Sequence, residues 1–321
     1  MNKFSLTTLS KSNKVKYTIL GLLTITMAYL VWGVIIEPYW IDKEKQIAQI
    51  PGLPQKWQGK QVGLISDLQV GLWLDNTRTI RRIVQQLVKE RPALVLITGD
   101  FIYEPGKNPE VELDKVAQLV HPLIEANIPT YAVLGNHDYA LHSQHHPKNK
   151  KLSTQVREAL ESVGVNVLKN EAVPLAAPGN NHPSLDTTQN EYPLYLVGIG
   201  SHKAKEDKPK KALTELPEAA PRLVMMHNPN SFDALPANTA PLAVAGHTHG
   251  GQIRLLPFGL TPIWFVLTYD EEDLVHVAGW IEDFGKPGNR LYVNRGIGFS
   301  KVPIRINARP ELTLFTLQAA N

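Results

Sequence analysis

The order of apolar segments after residue 60 is the feature that most constrains the fold. In the first half of this region strand-like runs alternate with helix-like patterns, with strands predicted at 61–66, 93–98 and 130–134 and helices at 77–90, 111–126 and 154–163. Such alternation is typical of a sheet whose strands are joined by helices packed on its face. The second half is richer in strands, which we predict at 195–199, 223–226, 242–245, 252–255, 291–294 and 312–316. A chain of 321 residues can bury one large α/β domain or two small ones.

A run of uncharged residues at 17–36 precedes this region. As a helix rising about 1.5 Å per residue it would span roughly 30 Å, the hydrocarbon thickness of a bilayer. A cleaved signal peptide is the alternative, but the run is longer than a normal signal core and no small-x-small cleavage site follows it directly. We therefore predict a basic tail at 1–16, a single transmembrane helix at 17–36, a tether at 37–60 and a globular domain at 61–321.

Charge is distributed unevenly along the chain. Of 33 Lys and Arg against 30 Asp and Glu, four lysines and no acidic residue lie before residue 17, so the rest of the chain is close to neutral. Nucleic-acid binding usually requires a concentrated basic face, and we expect no nucleic-acid partner. The positive-inside rule places the N-terminus in the cytoplasm and the domain on the extracytoplasmic side of the cell membrane. The absence of cysteine excludes disulfides and Cys-ligated metals.

Side chains that can bind metal ions follow five of the predicted strands. In chain order they are Asp67, Asp100, Asn136 with His137, His227, and His247 with His249. Loops beyond the carboxyl ends of strands are the usual place for a site in an α/β sheet. Any one of these residues alone could simply form a turn or cap a helix. Five such positions together, each at the end of an apolar run, are hard to explain by local structure alone.

The order of these residues resembles the signature of the calcineurin-like metallophosphoesterases. The resemblance runs from about residue 61 to residue 318 and is carried by Asp-Leu-Gln at 67–69, Gly-Asp at 99–100, Gly-Asn-His-Asp at 135–138, His227 and Gly-His-Thr-His at 246–249. Asn-Arg-Gly-Ile-Gly at 294–298 and Arg-Pro-Glu-Leu at 309–312 resemble the membrane-associated branch, which includes transmembrane metallophosphoesterases and some UDP-2,3-diacylglucosamine pyrophosphatases. The resemblance implies a four-layer α/β/β/α metallophosphoesterase sandwich at 61–321, with two mixed sheets packed together and helices outside.

The resemblance also implies a role for each residue around two divalent metal ions. Asp100 would bridge both ions, Asp67 and His249 would complete the first, and the second would be held by Asn136, His227 and His247. Two cations roughly 3.5–4 Å apart lower the pKa of a water and neutralise phosphoryl oxygens, so that the activated water attacks phosphorus in line. His137 would stabilise the leaving oxygen or protonate it as a general acid.

Position 69 departs from the family, which normally has Asp-x-His where this chain has Asp67-Leu68-Gln69. A neutral amide oxygen is a weaker and harder ligand than imidazole. Gln69 would therefore ligate weakly, contact a metal-bound water, or leave the first ion loosely held. Each alternative favours manganese or magnesium over zinc.

These features predict a membrane-anchored hydrolase of phosphoester or pyrophosphate bonds. The resemblance makes a lipid-linked substrate such as UDP-2,3-diacylglucosamine, a precursor in lipid A biosynthesis, the best named candidate. Two alternatives are a membrane-tethered module that binds a phosphorylated ligand without turnover, if Gln69 abolishes the first metal, and a nuclease, which would need a basic groove. The apolar run at 255–268 would form core or a hydrophobic lip, and His142, His145 and His146 would lie in a solvated loop or line the substrate pocket. No oligomeric state is predicted.

Overall fold

The computed structural model describes residues 6–105, 108–141, 147–179, 192–254, 276–281 and 284–320. Within these ranges the strands are β1 Asp42–Ile50, β2 Gln61–Ile65, β3 Leu94–Ile97, β4 Thr130–Ala132, β5 Asn166–Val167, β6 Glu171–Pro174, β7 Tyr195–Gly198, β8 Arg222–Met225, β9 Ala243–Ala245, β10 Gly279–Ile281, β11 Leu291–Val293 and β12 Glu311–Ala319. They form two mixed sheets of six strands each. The first sheet has the order β1-β12-β2-β3-β4-β5, and the second has the order β10-β11-β9-β8-β7-β6.

Both sheets have a parallel centre. In the first sheet β2, β3, β4 and β5 are parallel, β12 is antiparallel to β2, and β1 is parallel to β12. In the second sheet β7, β8, β9 and β11 are parallel, and the edge strands β6 and β10 are antiparallel to their neighbours. Parallel strands end at the same edge of a sheet, so the loops after β2, β3 and β4 lie together, as do those after β8 and β9.

The helices are α1 Leu6–Val31, α2 Thr77–Glu90, α3 Pro109–Glu125, α4 Lys150–Ser162 and α5 Pro209–Leu213. Helix α2 shows why these segments pack as they do. Its buried residues Ile80, Ile83, Val84 and Leu87 recur at helical spacing on one face, while the polar residues between them remain in contact with water. Helices α2, α3 and α4 cover the outer face of the first sheet through such faces.

Three apolar clusters define the layers. Ile83 and Ile97 belong to the cluster between the helices and the first sheet. Leu64 and Leu196 belong to the cluster between the two sheets. Val224 packs on the outer face of the second sheet, beneath α5 and a 3₁₀ turn at Pro229–Phe232. The predicted α/β/β/α sandwich is confirmed, although its second helical layer is short in the part of the chain that the structure describes.

Two local predictions are wrong. The segment at 37–60, predicted as a tether, contains β1, which pairs along its whole length with β12. Its alternating charged residues obscured this edge strand, since only one face of β1 is covered. The strand predicted at 252–255 does not form over 252–254, because Gln252 has a positive φ of 42° and Ile253 makes only an isolated bridge to Ile306. Leu255 lies outside the described residues.

The N-terminal helix is longer than predicted. Helix α1 begins at Leu6, within the predicted basic tail, and continues as a π-helical turn at Trp32–Ile36. Among the described residues, the helical stretch Asn13–Tyr39 is the one long and apolar enough to cross a membrane. Predictions for His142, His145, His146 and the apolar run at 255–268 fall outside the described residues.

Candidate metal centre

The predicted metal-binding side chains meet where the two sheets face each other. The first sheet contributes residues after β2, β3 and β4, and the second contributes residues after β8 and β9. Each is at most 8% exposed; the set is Asp67, Gln69, Asp100, Asn136, His137, His227, His247 and His249. Ionisable groups buried this deeply need a partner or a metal ion.

The backbone at these strand ends is unusual. Five of the residues have positive φ angles: Asp67 (53°), Gln69 (50°), Asp100 (54°), His247 (75°) and His249 (51°). Non-glycine residues adopt this left-handed conformation in only a few per cent of cases. Strained backbone of this kind tends to cluster at functional sites, where the surrounding fold holds it in place.

Two glycines of the motifs allow the loops to approach each other. A Cβ atom at Gly135 would overlap Oδ1 of Asp100, and one at Gly246 would overlap the Ser66 hydroxyl. The glycines of Gly-Asn-His-Asp and Gly-His-Thr-His are therefore required by the close packing of the two sheets' loops around the acidic residues.

The ionisable side chains form two groups that share Asp100. In one group the ligand atoms of Asp67, Asp100 and His249 lie within 4.8 Å of one another, and in the other those of Asp100, His227 and His247 do so. Nε2 of His227 lies 3.2 Å from Oδ2 of Asp100, and Nε2 of His249 lies 3.5 Å from Oδ1 of Asp67. A shared carboxylate between two ligand groups is the arrangement needed to place two cations side by side.

Neighbouring backbone groups orient two of these side chains. The Asn136 amide nitrogen donates to the Leu141 carbonyl over 2.9 Å, which turns Oδ1 toward Nε2 of His227, 3.1 Å away. Nδ1 of His227 lies 2.6 Å from the Thr98 carbonyl oxygen. A contact of this kind fixes the imidazole and directs the other ring nitrogen into the site, as is usual for metal-binding histidines.

Gln69 lies inside the first group. Its Nε2 donates to Oδ2 of Asp100 over 2.9 Å and lies 3.4 Å from Nε2 of His249. Its Oε1 is buried and has no hydrogen-bond partner among the described residues. A rotation of the amide by half a turn exchanges the two atoms and would direct Oε1 at the group. Gln69 therefore lies among the candidate ligands, with an oxygen that could coordinate a cation after such a rotation.

His137 lies at the rim of the site. Nδ1 of its ring is 2.7 Å from the Tyr103 carbonyl oxygen, and the ring stacks on that of Tyr103 with centroids 5.1 Å apart. Its backbone amide donates to Oδ1 of Asp100 over 2.8 Å. The backbone of His137 thus holds the shared carboxylate, while its ring is oriented separately.

Asp138 is a functional residue to which the sequence analysis assigned no role, although it ends the Gly-Asn-His-Asp motif. Its carboxylate accepts the backbone N–H groups of Asp100 (3.0 Å), Phe101 (2.9 Å) and Gly135 (2.8 Å). Burial and the nearby Asp100 raise the pKa of Asp138 to about 7. It joins the loops after β3 and β4, and this role depends on contacts that a motif alone does not reveal.

The two groups differ in the charge of their imidazoles. The imidazole of His249 is neutral, whereas His227 forms an ion pair with Asp100, and a metal ion bound there would displace the proton of His227. Burial lowers the pKa of His227, but the adjacent Asp100 carboxylate outweighs it and raises this pKa to about 9. Burial raises the pKa of Asp100, but His227 and His137 hold it below its usual value. Burial and Arg305 lower the pKa of His249 well below its ordinary value. His249 is therefore a neutral imidazole, the form that binds metal.

The donor set fits two divalent cations. Within the described residues, Oε1 of Gln69 and Nδ1 of His249 are buried polar atoms without a hydrogen-bond partner, and Asp100 belongs to both ligand groups. Carboxylate, amide oxygen and imidazole donors together suit first-row divalent metals and magnesium.

Comparison with known proteins agrees with this geometry. The profile of the family described as calcineurin-like phosphoesterase matches residues 60–251. Phosphodiesterase YaeI of Escherichia coli is 32% identical over 234 residues, which cover 72% of each chain. UDP-2,3-diacylglucosamine pyrophosphatase LpxG of Chlamydia muridarum is 26% identical over 88% of this chain and 91% of its own length. A transmembrane protein with a metallophosphoesterase domain from Danio rerio is 24% identical over 96% of this chain and 64% of its own.

Proposed function

The chain belongs to the calcineurin-like phosphoesterase family and is a metal-dependent phosphoester hydrolase, and we propose that it is membrane-anchored and cleaves a lipid-linked phosphoester or pyrophosphate. The observation that carries the catalytic part is the sharing of Asp100 between two buried ligand groups. We propose that Asp67, Asp100 and His249 hold one cation. Asp100, Asn136, His227 and His247 would hold the second.

The bound cations would supply Lewis-acid activation of water and would neutralise the phosphoryl oxygens. The chain's own residues supply the positioning. Asp138 holds the loops that carry Asp100 and Asn136, and the Tyr103 carbonyl orients the ring of His137. We propose that His137 donates a proton to the leaving oxygen, as a general acid at the rim of the site.

The oxygen donors of the site support manganese or magnesium as its metal. Asp67, Asp100, Asn136 and Gln69 all offer oxygen atoms, and the imidazole expected at position 69 is absent. Oxygen donors suit magnesium and manganese better than zinc, which prefers nitrogen and sulfur. We therefore propose a manganese or magnesium enzyme.

The membrane part of the proposal rests on two observations. Helix α1 and the turn that follows it form a stretch, Asn13–Tyr39, that is long and apolar enough to span a bilayer. LpxG, which matches most of this chain, is named for cleaving the pyrophosphate of a diacylated sugar nucleotide. A lipid-linked substrate of this class, with UDP-2,3-diacylglucosamine as the first candidate, would let the anchor and the substrate share one membrane.

The side of the membrane bears on the substrate. The excess of lysine before the helix supports an extracytoplasmic domain. A sugar-nucleotide lipid would be cleaved on the cytoplasmic side, so an outside placement favours a lipid or cell-envelope phosphoester instead. Two reporter fusions at the C-terminus, one active only outside the cytoplasm and one active only inside it, measure the side on which the domain lies. The result decides between these two classes of substrate.

A matched substrate series tests the lipid-linked assignment. The full-length chain, purified in detergent and supplied with manganese, is given UDP-2,3-diacylglucosamine, UDP-N-acetylglucosamine and bis(p-nitrophenyl) phosphate. We expect kcat/KM to be highest for the acylated substrate, because it is the only one of the three that carries long acyl chains. Equal turnover of acylated and unacylated sugar nucleotides would contradict a lipid-linked substrate.

A further inference from the structure

The N-terminal helix joins the domain at the edge that carries the metal centre. Strand β1 starts two residues after Trp40 and runs parallel to β12, which is antiparallel to β2. Asp42, at the start of β1, pairs with Glu311, whereas Gln61, at the start of β2, is level with Thr316 farther along β12. The start of β1 therefore lies at the carboxyl end of β2, where Asp67 follows. The chain enters the domain beside the candidate site.

The end of the helix is held against the segments that cover this site. The backbone amide of Arg305 donates to the Gly33 carbonyl over 2.9 Å. The Asn76 side-chain amide donates to the carbonyls of Pro38 and Ile297, each over 2.9 Å. Gly33 belongs to the N-terminal helical stretch, yet it is buried beside Ile304 and Ile306 of the domain. The connection is therefore a packed contact rather than a loose linker.

Arg305 extends this contact to the metal centre. Its guanidinium is fully buried and donates to the Gly298 carbonyl, with Nη2 at 2.6 Å, and Nη1 lies 3.5 Å from the His249 carbonyl. The Gly298 amide in turn donates to the Asp67 carbonyl over 2.7 Å. The helix end is therefore connected to His249 through Arg305, and to Asp67 through Arg305 and the backbone of Gly298.

Large apolar side chains are exposed in the two segments that lead to Asn76 and to Arg305. Trp73 is 77% exposed, Leu74 is 40% exposed and Val302 is 36% exposed. Trp73 lies three residues before Asn76, and Val302 lies three residues before Arg305. Each is therefore at most about 11 Å along the chain from a residue that is hydrogen-bonded to the end of the helix. Exposed Trp and Leu beside the end of an apolar helix are typical of a membrane interface.

We propose that Trp73, Leu74 and Val302 form a bilayer-contact surface, which holds the metal-bearing edge of the domain against the membrane in which the helix is inserted. This inference rests on the proposed membrane anchor and extends it. The occupant of the surface is the lipid bilayer, because the surface is continuous with a helix that would itself lie in lipid. A lipid-linked substrate could then present its phosphate to the metal centre while its acyl chains stay in the bilayer.

The absence of cysteine allows a direct test with single nitroxide labels on the full-length chain. The variants are Trp73→Cys, Val302→Cys, Ile47→Cys and Leu23→Cys, each in nanodiscs of phosphatidylethanolamine and phosphatidylglycerol. Ile47 is the matched control, since it is 55% exposed but level with Thr316, away from the metal-bearing edge. Leu23 reports insertion of the helix itself. Collision of each label with oxygen, which partitions into lipid, is compared with collision with a water-soluble nickel chelate.

Labels at 73 and 302 are expected to show a several-fold lower nickel-to-oxygen collision ratio than the label at 47. If the label at 23 lies in lipid while those at 73 and 302 match the label at 47, the contact surface is refuted and the anchor stands. If the label at 23 is itself in water, the proposed anchor fails, and the surface with it. Dipolar coupling between labels at 73 on two chains would identify a second copy as the occupant and would also refute the bilayer contact.

Discussion

The side-chain amide of Gln69 donates to the carboxylate of Asp100 over 2.9 Å, at the point where the two ligand groups share that carboxylate. The family normally has an imidazole at this position. We propose that Gln69 is a weak ligand beside this carboxylate, so that a cation in the first group would compete with the hydrogen bond. Metal selectivity should depend on this one side chain.

Replacing Gln69 with histidine should strengthen the first site, above all for zinc. We expect Gln69→His to raise zinc affinity about tenfold or more, equivalent to about 1.4 kcal/mol, because imidazole is a better zinc ligand than a carboxamide. Isothermal titration of the chelator-stripped full-length chain measures the change. Gln69→Ala is the control, since it removes the hydrogen bond to Asp100 without adding a ligand. Equal zinc affinity in both variants would show that position 69 does not contact the metal.

His137 should affect turnover but not metal content. Its backbone amide, which any residue retains, holds Asp100, whereas its ring lies at the rim. We expect His137→Ala to lower kcat by about 10²–10⁴ with an unchanged number of metal ions per chain. His121→Ala, at a half-exposed histidine on α3, is the control. A parallel loss of metal and activity would instead make His137 a ligand.

The candidate metal centre could be predicted from the sequence because its residues are short motifs at the ends of apolar strands. Features that depend on contacts distant along the chain could not be predicted in this way. The charged strand β1 forms only because β12 lies beside it, and the role of Arg305 depends on Gly33, more than two hundred residues earlier. The positive φ angles of Asp67 and Asp100 likewise follow from the packing of two sheets. No residue pattern within one segment encodes these relationships.

Packing at Gly33 should decide whether the anchor is held rigidly. A side chain there would meet Ile306, since an added Cβ would lie 2.7 Å from its Cγ1, whereas Gly21 has nothing within 4 Å. We expect Gly33→Leu to broaden the distance distribution between nitroxides at Leu23→Cys and Val111→Cys, measured by pulsed EPR. Gly21→Leu should leave it narrow. Equally narrow distributions in both variants would contradict a packed connection.

An acid-sensitive contribution to stability is expected from Glu206. Hydrogen bonds and charge from Lys148 and Lys169, 2.5 and 2.8 Å away, lower its pKa to about 2. A pKa lowered by folding stabilises the protein above the ordinary carboxyl value, and this contribution disappears as the pH falls toward the folded pKa. Because the group is near solvent, we expect at most about 1 kcal/mol.

The Glu206→Gln variant tests this contribution. Its free energy of unfolding should fall below that of the parent chain near neutral pH, and the difference should shrink between about pH 4.5 and pH 2. Glu215→Gln, at an exposed position, is the control for the substitution itself. A difference that does not change with pH would assign the effect to packing rather than to the ion pairs.

Metal-dependent turnover tests the two-metal centre most directly. The full-length chain is stripped with chelator, reconstituted separately with manganese, magnesium and zinc, and assayed for bound metal and for hydrolysis of bis(p-nitrophenyl) phosphate, with Asp100→Asn alongside. We predict about two ions per chain, with activity highest with manganese or magnesium. Asp100→Asn should lose both the ions and the activity, because Asp100 belongs to both ligand groups. A folded chain that binds one ion or none and hydrolyses no substrate with any metal would contradict the two-metal centre.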